Sequence, residues 1–389
     1  MRIKLNFIAL LSGLLIPAGC ISYKEVIITN KSSLSRTNEV VSLTTLPKLC
    51  KNNFIITDNT GKQIPYQKTT EGELLFPVSV NAYSSIKYII RKGIPEKFDT
   101  LCYGSFRADR MDDFIWENDK SGYRTYGPAL QAKGEKAFGY DVFTKSVGHL
   151  VMSDRFNKAI YGKPKVSFHL DHGDGMDSYG VGATLGCGAD ALVSSEKLIY
   201  PWCWTDYKII ENGPIRFKAR FNYSPVEIDG KKVTEIRTIT LDMTSPLNEV
   251  EVSFQGLDKE VEIASGVVVH KENPTAYKYG KSNQGGYTAY ADLGDRNVGK
   301  NGEIYVGTAY TTPLVSVGYV PFTEDELQLR GGATGHVLGI GKYKPNHKYV
   351  YYFGSQWSKS GIKSLDEWEQ IIKDFIAKKT NPLEITLKK

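Results

Sequence analysis

The chain predicts an all-β protein: stacked antiparallel sheets, with one C-terminal helix packed on a sheet. Three features carry this. Short runs rich in Val, Ile, Tyr, Phe and Thr recur between turn signals along the length of the chain. Where the runs lengthen, apolar and charged residues alternate with the period of two that a half-buried strand requires, as in Ile215-Arg216-Phe217-Lys218-Ala219-Arg220-Phe221. A helical period stands out in one segment only. With 389 residues, 41% of them hydrophobic, the chain can bury a large core. β-Sandwiches run past about 200 residues as single units, so we expect one large β-domain with a smaller partner.

Taken in order, strands are expected at 25–29, 54–57, 74–78, 86–91 and 100–106, with Asn59-Thr60-Gly61-Lys62 turning between two of them. The first four make an N-terminal β-layer, 20–98, bounded near Pro95-Glu96. The second unit, 99–389, contains a three-strand meander (207–224, 232–244 and 247–255) turned by Asp229-Gly230 and Ser245-Pro246. Further strands follow at 261–270, 286–293, 303–310, 314–320, 336–340 and 347–354. The helix is expected over 365–379. Ser364 and Glu367 read as a capping box, and Leu365, Trp368, Ile371, Ile372, Phe375 and Ile376 form one apolar face.

The first 20 residues, MRIKLNFIALLSGLLIPAGC, combine a basic start, an apolar stretch and a small-residue run. Residues 1–19 read as an export signal. Ala18-Gly19-Cys20 resembles a bacterial lipobox, which makes Cys20 the expected lipidation site and places the protein in the cell envelope, anchored to the outer membrane on its periplasmic or surface face. Removing Arg2 and Lys4 lowers the formal charge of +6 to +4. The remaining cations are interspersed with acids, which argues against nucleic acid as a partner. Four cysteines follow Cys20, namely Cys50, Cys102, Cys187 and Cys203. Their spacing matches no zinc pattern and leaves disulfides and buried thiols both open.

Two segments carry the densest chemistry. Residues 107–130 place Asp109, Arg110, Asp112, Asp113, Glu117, Asn118, Asp119 and Arg124 among Trp116, Tyr123 and Tyr126. Aromatic faces stack on sugar CH groups while carboxylates, amides and guanidinium bind hydroxyls, so this composition suits a sugar site; a solvated loop with a structural ion pair has it too. The second segment puts His169, Asp171, His172, Asp174 and Asp177 just before Tyr179. A divalent cation near His169, Asp171, His172 and Asp174, an acid–base site without metal, and a hydrogen-bonded turn are the three readings. The glycines from Gly180 to Gly188 lack the Lys and the helix of a phosphate loop, and Ser194-Ser195 lack a nucleophile elbow. Trp202 and Trp204 offer indoles for stacking. His270 ends one strand and His336 begins another, where either can face a cleft.

Several motifs together resemble an exported domain-of-unknown-function family, number 4861, found in polysaccharide-utilisation loci of Bacteroidota. They are Trp116-Glu117-Asn118-Asp119, Tyr123-Arg124-Thr125-Tyr126-Gly127-Pro128, His172-Gly173-Asp174-Gly175-Met176-Asp177, Glu211-Asn212-Gly213-Pro214-Ile215-Arg216 and Tyr352-Phe353-Gly354-Ser355-Gln356-Trp357-Ser358. Residues 211–254 are also similar to galactose-mutarotase-like supersandwich proteins. That resemblance implies a supersandwich fold shared by mutarotases, hydrolases and lyases, and transfers no catalytic residue.

The expected function is that of a carbohydrate-active enzyme acting on an oligosaccharide that contains uronic acid. For β-elimination, Arg124 with Asn118 neutralises the carboxylate, His172 takes the proton, and Tyr126 or Tyr179 protonates the leaving oxygen. For hydrolysis, Glu117 pairs with Asp174 or Asp177. Trp116, Asn118, Tyr126, Asp177, Trp204 and His270 are the candidate sugar contacts. The alternative is a non-catalytic glycan-binding lipoprotein, for which Glu117, Arg124 and His172 need not converge.

Overall fold

The structure, a computed structural model, describes residues 23–51, 53–294 and 300–388. The export signal and Cys20 lie outside the described residues. The chain forms stacked antiparallel sheets, as its alternating runs dictate.

The N-terminal layer pairs two sheets. One has the strand order Glu384–Lys388, Tyr23–Asn30, Ser84–Lys92, Phe54–Thr57 and Gln63–Ile64; the other is Arg36–Leu43, Leu74–Val80 and Gln67–Lys68. Val26, Ile28, Phe54, Ile56, Phe76 and Ile90 meet between them in a core of their own. The strand Glu384–Lys388, unread in the sequence, returns from the C-terminus to pair along Tyr23–Asn30.

The larger part is built on one long sheet with the strand order Trp204–Asn212, Arg216–Tyr223, Lys231–Asp242, Leu247–Gln255, Tyr349–Trp357, Ile304–Tyr310, Gly285–Asp292 and Tyr277–Ser282. The expected strand 207–224 is therefore two, broken at Gly213-Pro214, where Gly213 takes φ of 78°. Asp229 and Gly230 both take positive φ, 50° and 76°, the geometry that a two-residue hairpin turn needs. In Arg216–Tyr223, Phe217, Ala219, Phe221 and Tyr223 point inward, as the alternation requires.

Two five-stranded sheets cover one face of this long sheet. The first is Gly175–Asp177, Asp141–Lys145, Gly122–Thr125, Asp113–Glu117 and Tyr103–Arg107; the second is Lys197–Ile199, Cys187–Ser194, Val261–His270, Ala333–Tyr343 and Ser316–Pro321. A bridge between Tyr140 and Gly186 joins them. Phe114, Trp116, Phe217, Val250, Val267, Val337 and Phe353 fill the space between the layers. On the opposite face of the long sheet the helix Leu365–Thr380 seats Trp368, Ile372 and Phe375 against Ala289, Tyr305, Ala309 and Tyr352. Its cap is half of the expected box. Ser364 Oγ accepts from Glu367 N–H at 3.2 Å, while Glu367 Oε2 accepts from Lys363 N–H at 2.8 Å instead of from Ser364.

A second helix of ten residues, Met152–Tyr161, covers the outer face of the first five-stranded sheet. Cys50, Cys102, Cys187 and Cys203 are all buried free thiols.

Candidate functional site

The segment around Trp116 is a hairpin, not a loop, and its alternation decides what each side chain does. Phe114 and Trp116 point into the main core. There the Trp116 indole stacks on Tyr123 and Phe217 and donates to Asn248 Oδ1 at 2.8 Å. With no exposed surface, the ring offers a sugar no face. Asp113, Ile115 and Glu117 point the other way, beneath the helix Met152–Tyr161. Glu117 accepts from Lys145 Nζ at 2.7 Å and from the backbone N–H groups of Val151 and Met152. Asn118 shapes the hairpin turn, accepting from Lys120 and Ser121 N–H and donating to the Asp242 and Ser245 carbonyls. Trp204 is also buried, packed against Phe106, Tyr207 and Phe221.

Arg124 leaves the outer face of the same sheet and meets three carboxylates. It contacts Asp141 through two nitrogens, Asp177 at 3.0 Å and Asp113 at 3.4 Å. Tyr126 donates to Asp141 Oδ2 at 2.8 Å, and its ring lies 5.2 Å from the guanidinium. Burial opposes the Arg124 charge, but the surrounding carboxylates outweigh it and hold the guanidinium protonated. One cation cannot serve three buried acids. Burial pushes Asp113 up to about 6 against the pull of Arg124, and burial, reinforced by Asp141, does the same to Asp177. The two segments singled out in the sequence thus meet, through Arg124 and Asp177. The space beside them measures about 10 Å³, near the lower limit for one water, so a sugar ring cannot enter there in this conformation.

The acidic loop is spent on local partners. Asp174 pairs with Arg155, Asp171 with Lys359 at 3.1 Å and with Gly173 N–H, and His169 Nδ1 lies 2.8 Å from the Asp177 carbonyl. His172 is exposed on the surface. Among the described residues no group of three or more His, Cys, Asp or Glu is arranged to hold a metal ion.

A different constellation forms where Tyr179 meets the strand end at His270. His270 Nδ1 lies 2.6 Å from Asp292 Oδ2, and the other Asp292 oxygen accepts from Gly294 N–H at 2.7 Å. The Tyr179 ring stands edge-on to the imidazole, 6.0 Å between centroids at 80°. Its hydroxyl is buried and, among the described residues, has no hydrogen-bond partner. Burial first, then Cys187 and Asp292, push the phenol well above its ordinary range, and Asp141 adds to this. The phenol therefore lies within electrostatic reach of both Asp292 and the Arg124 cluster. Gly180 is exposed beside the imidazole; a Cβ there would come within 3.3 Å of His270 Nε2. His336 is buried and neutral: burial pushes it down to about 3, and its Nε2 accepts from Leu185 N–H at 3.0 Å. Tyr179 and His270 were legible in the sequence. Asp292 was not, being one acid at the end of an unremarkable strand.

Stacked antiparallel sheets carrying a carboxylate-held imidazole against a buried phenol define the molecule as a β-sandwich protein with a candidate acid–base site. It belongs to the family described as Domain of unknown function (DUF4861), whose profile matches residues 28–385. A curated relative, the "Uncharacterized protein P7" of Formosa agariphila, is 28% identical over 338 residues, covering 82% of this chain and 79% of its own. Among solved structures, similarity extends to a glycosyl hydrolase family 38 protein (TM-score 0.40) and an alpha-mannosidase (TM-score 0.43), both from Enterococcus faecalis. Each is 10% identical and matched over 94% of this chain. The chain spans about half the length of those two structures, 47% and 46%.

Proposed function

We propose that the protein is a carbohydrate-active enzyme working by proton transfer at Tyr179, His270 and Asp292, on an oligosaccharide containing uronic acid, by β-elimination. The observation that carries this is the 2.6 Å contact of His270 Nδ1 with Asp292, made edge-on to a phenol that keeps its proton. Asp292 fixes the imidazole tautomer with hydrogen on Nδ1, so proton exchange runs through Nε2, the nitrogen that Gly180 approaches. In the elimination, the C5 proton passes to Nε2 and the C4–O bond breaks. The leaving oxygen takes the proton of Tyr179, whose hydroxyl is buried in this conformation and has to be uncovered as substrate binds, and a C4–C5 double bond remains. Hydrolysis would need two presented carboxylates, whereas Glu117 is tied to Lys145 and Asp174 to Arg155. A binding module would present its indoles; those of Trp116 and Trp204 are buried, and that of Trp202 is half-buried.

The test is incubation with a panel of uronate oligosaccharides, read by mass spectrometry and by the ultraviolet absorbance of the new double bond. His270→Ala and Tyr179→Phe are each expected to lower kcat by about 100-fold or more, with Tyr179→Phe leaving the melting temperature unchanged because the hydroxyl it removes has no hydrogen-bond partner among the described residues. Product carrying an added water, or full activity in Tyr179→Phe, would overturn the mechanism.

The lipobox-like Ala18-Gly19-Cys20 supports a lipid-anchored location in the cell envelope. Cys20→Ala is expected to move the protein from the membrane to the soluble fraction; persistence in the membrane would refute the anchor.

A further inference from the structure

Next to the proton-transfer site lies a group of rings and one cation that the proton transfers above leave without a role. Phe138 and Tyr200 stack at 5.1 Å and 26°, and Trp202 stands edge-on to Phe138 at 6.2 Å. All three are half-buried. The Trp202 indole is fixed by a 3.0 Å bond to the Glu135 carbonyl. Arg330 lies over Tyr200 at 5.1 Å and over Phe322 at 4.6 Å. Its side chain is 9% exposed. One terminal nitrogen donates to the Ala183 carbonyl and to Tyr200 Oη, and the other to Glu326 Oε1 at 3.0 Å. Nε is buried and, among the described residues, without a hydrogen-bond partner.

The same group is tied to His270. Tyr200 and Phe322 pack on His336, which pairs across the sheet with Val268, two residues before His270. The glycine-rich run then spans the distance: Gly180 abuts His270 Nε2, Ala183 holds Arg330, and Leu185 N–H binds His336. His336 is neutral and adds no charge, which leaves Arg330 as the cation of this group.

We infer that Phe138, Tyr200, Trp202 and Arg330 form a subsite for a sugar ring bearing an anionic substituent, adjoining the proton-transfer site; this rests on the carbohydrate-active reading above. Tyr200 is stacked on Phe138 and covered by Arg330, so the half-buried Trp202 indole is the ring assigned to the CH groups of a pyranose. Arg330 is a nearly dry guanidinium whose planar fork matches a carboxylate or sulfate, and a dry setting strengthens that attraction. Its carboxylate partner, Glu326, sits at the solvent edge with 36% of its side chain exposed, and its other oxygen is engaged in capping the helix Glu324–Leu329 at Thr323. An incoming anion competes with Glu326 for one Arg330 nitrogen. The elimination needs a cation near the substrate carboxylate, and Arg124, surrounded by three acids, has no charge to spare for it.

Calorimetric titration needs no turnover, so it separates this subsite from the reaction. In the His270→Ala background the probes are a galacturonic acid trisaccharide, its carboxyl-reduced neutral counterpart and a sulfated galactose trisaccharide. At least one acidic probe is expected to bind ten-fold or more tightly than the neutral one, and which of the two does so distinguishes carboxylate from sulfate. Arg330→Gln is expected to abolish that preference, while Glu326→Gln, which keeps the cap but removes the competing charge, strengthens acidic binding several-fold and leaves neutral binding unchanged. No acidic preference, a preference that survives Arg330→Gln, or indifference to Glu326→Gln would overturn the subsite. If Arg330→Gln fails to fold, the Glu326→Gln comparison still decides. An absence of elimination in the wild-type enzyme with acidic binding intact would strike the reaction and spare the subsite.

Discussion

At Glu117, two carboxylate oxygens receive the Lys145 ammonium and the backbone N–H groups of Val151 and Met152. The first is a pair with side-chain exposures of 0% and 2%; the others are the unsatisfied donors that begin the helix Met152–Tyr161, where a negative charge is favoured. A carboxylate so placed does structural work at three points at once. Removing it strands an ammonium in a dry site, which costs far more than the net value of an intact pair. Glu117→Ala is expected to lose about 3–5 kcal/mol of stability, measured by urea denaturation, with Lys145→Ala equally harmful and the Glu117→Leu/Lys145→Leu double variant recovering much of the loss. A Glu117→Ala protein that melts normally but is inactive would return this residue to the chemistry.

The elements show where sequence patterns speak and where they fall silent. Arg216–Tyr223 and Lys231–Asp242 have one face on the core and one toward polar surroundings, so their alternation is plain. Asp113–Glu117 is buried on both faces, by the core on one side and by a helix on the other. Its outward Asp and Glu therefore read as loop polarity when they are the buried half of ion pairs. The helix Met152–Tyr161 escaped notice because its buried residues are only Met152, Arg155 and Phe156. No local signal could place Glu384–Lys388, since its partner strand, Tyr23–Asn30, lies at the other end of the chain. The site followed the same logic. Polar density did bring Arg124 to Asp177, yet a buried ion cluster and an open sugar cleft draw on the same residue types, and only the outer helix and the close packing separate them. His270 was visible because it ends a strand-like run, where a side chain can face a cleft, whereas Asp292 became visible only through the sheet that sets it beside His270.

At the scale of the whole molecule, apolar burial and interlayer hydrogen bonds such as Trp116 to Asn248 hold the layers together, and a charged knot is set between them. Arg237 and Glu235 belong to the long sheet, and Asp190 belongs to the strand Cys187–Ser194 of a covering sheet. Arg237 Nε contacts Glu235 and lies 2.9 Å from Asp190 Oδ1. Its terminal nitrogens reach the Asp190 carbonyl at 2.9 Å and the Tyr223 hydroxyl at 3.3 Å, and Tyr351 donates to Asp190 Oδ1 at 3.0 Å. All three charged side chains have exposures of 4% or less. Burial drives the Glu235 carboxyl well above its usual range, with Asp190 adding to the effect against the pull of Arg237. Such a knot contributes little net stability when intact, because desolvation offsets the attraction, but it punishes the loss of one member. Arg237→Met is therefore expected to destabilise the protein by about 3–5 kcal/mol, seen as a lower urea midpoint with an unchanged slope. The triple variant Arg237→Met/Glu235→Leu/Asp190→Leu is expected to regain most of that loss, while turnover per folded molecule stays at the wild-type level because the knot lies inside the sandwich, away from His270. A single Arg237→Met variant with wild-type stability would mean that the knot adds nothing to the joining of the layers.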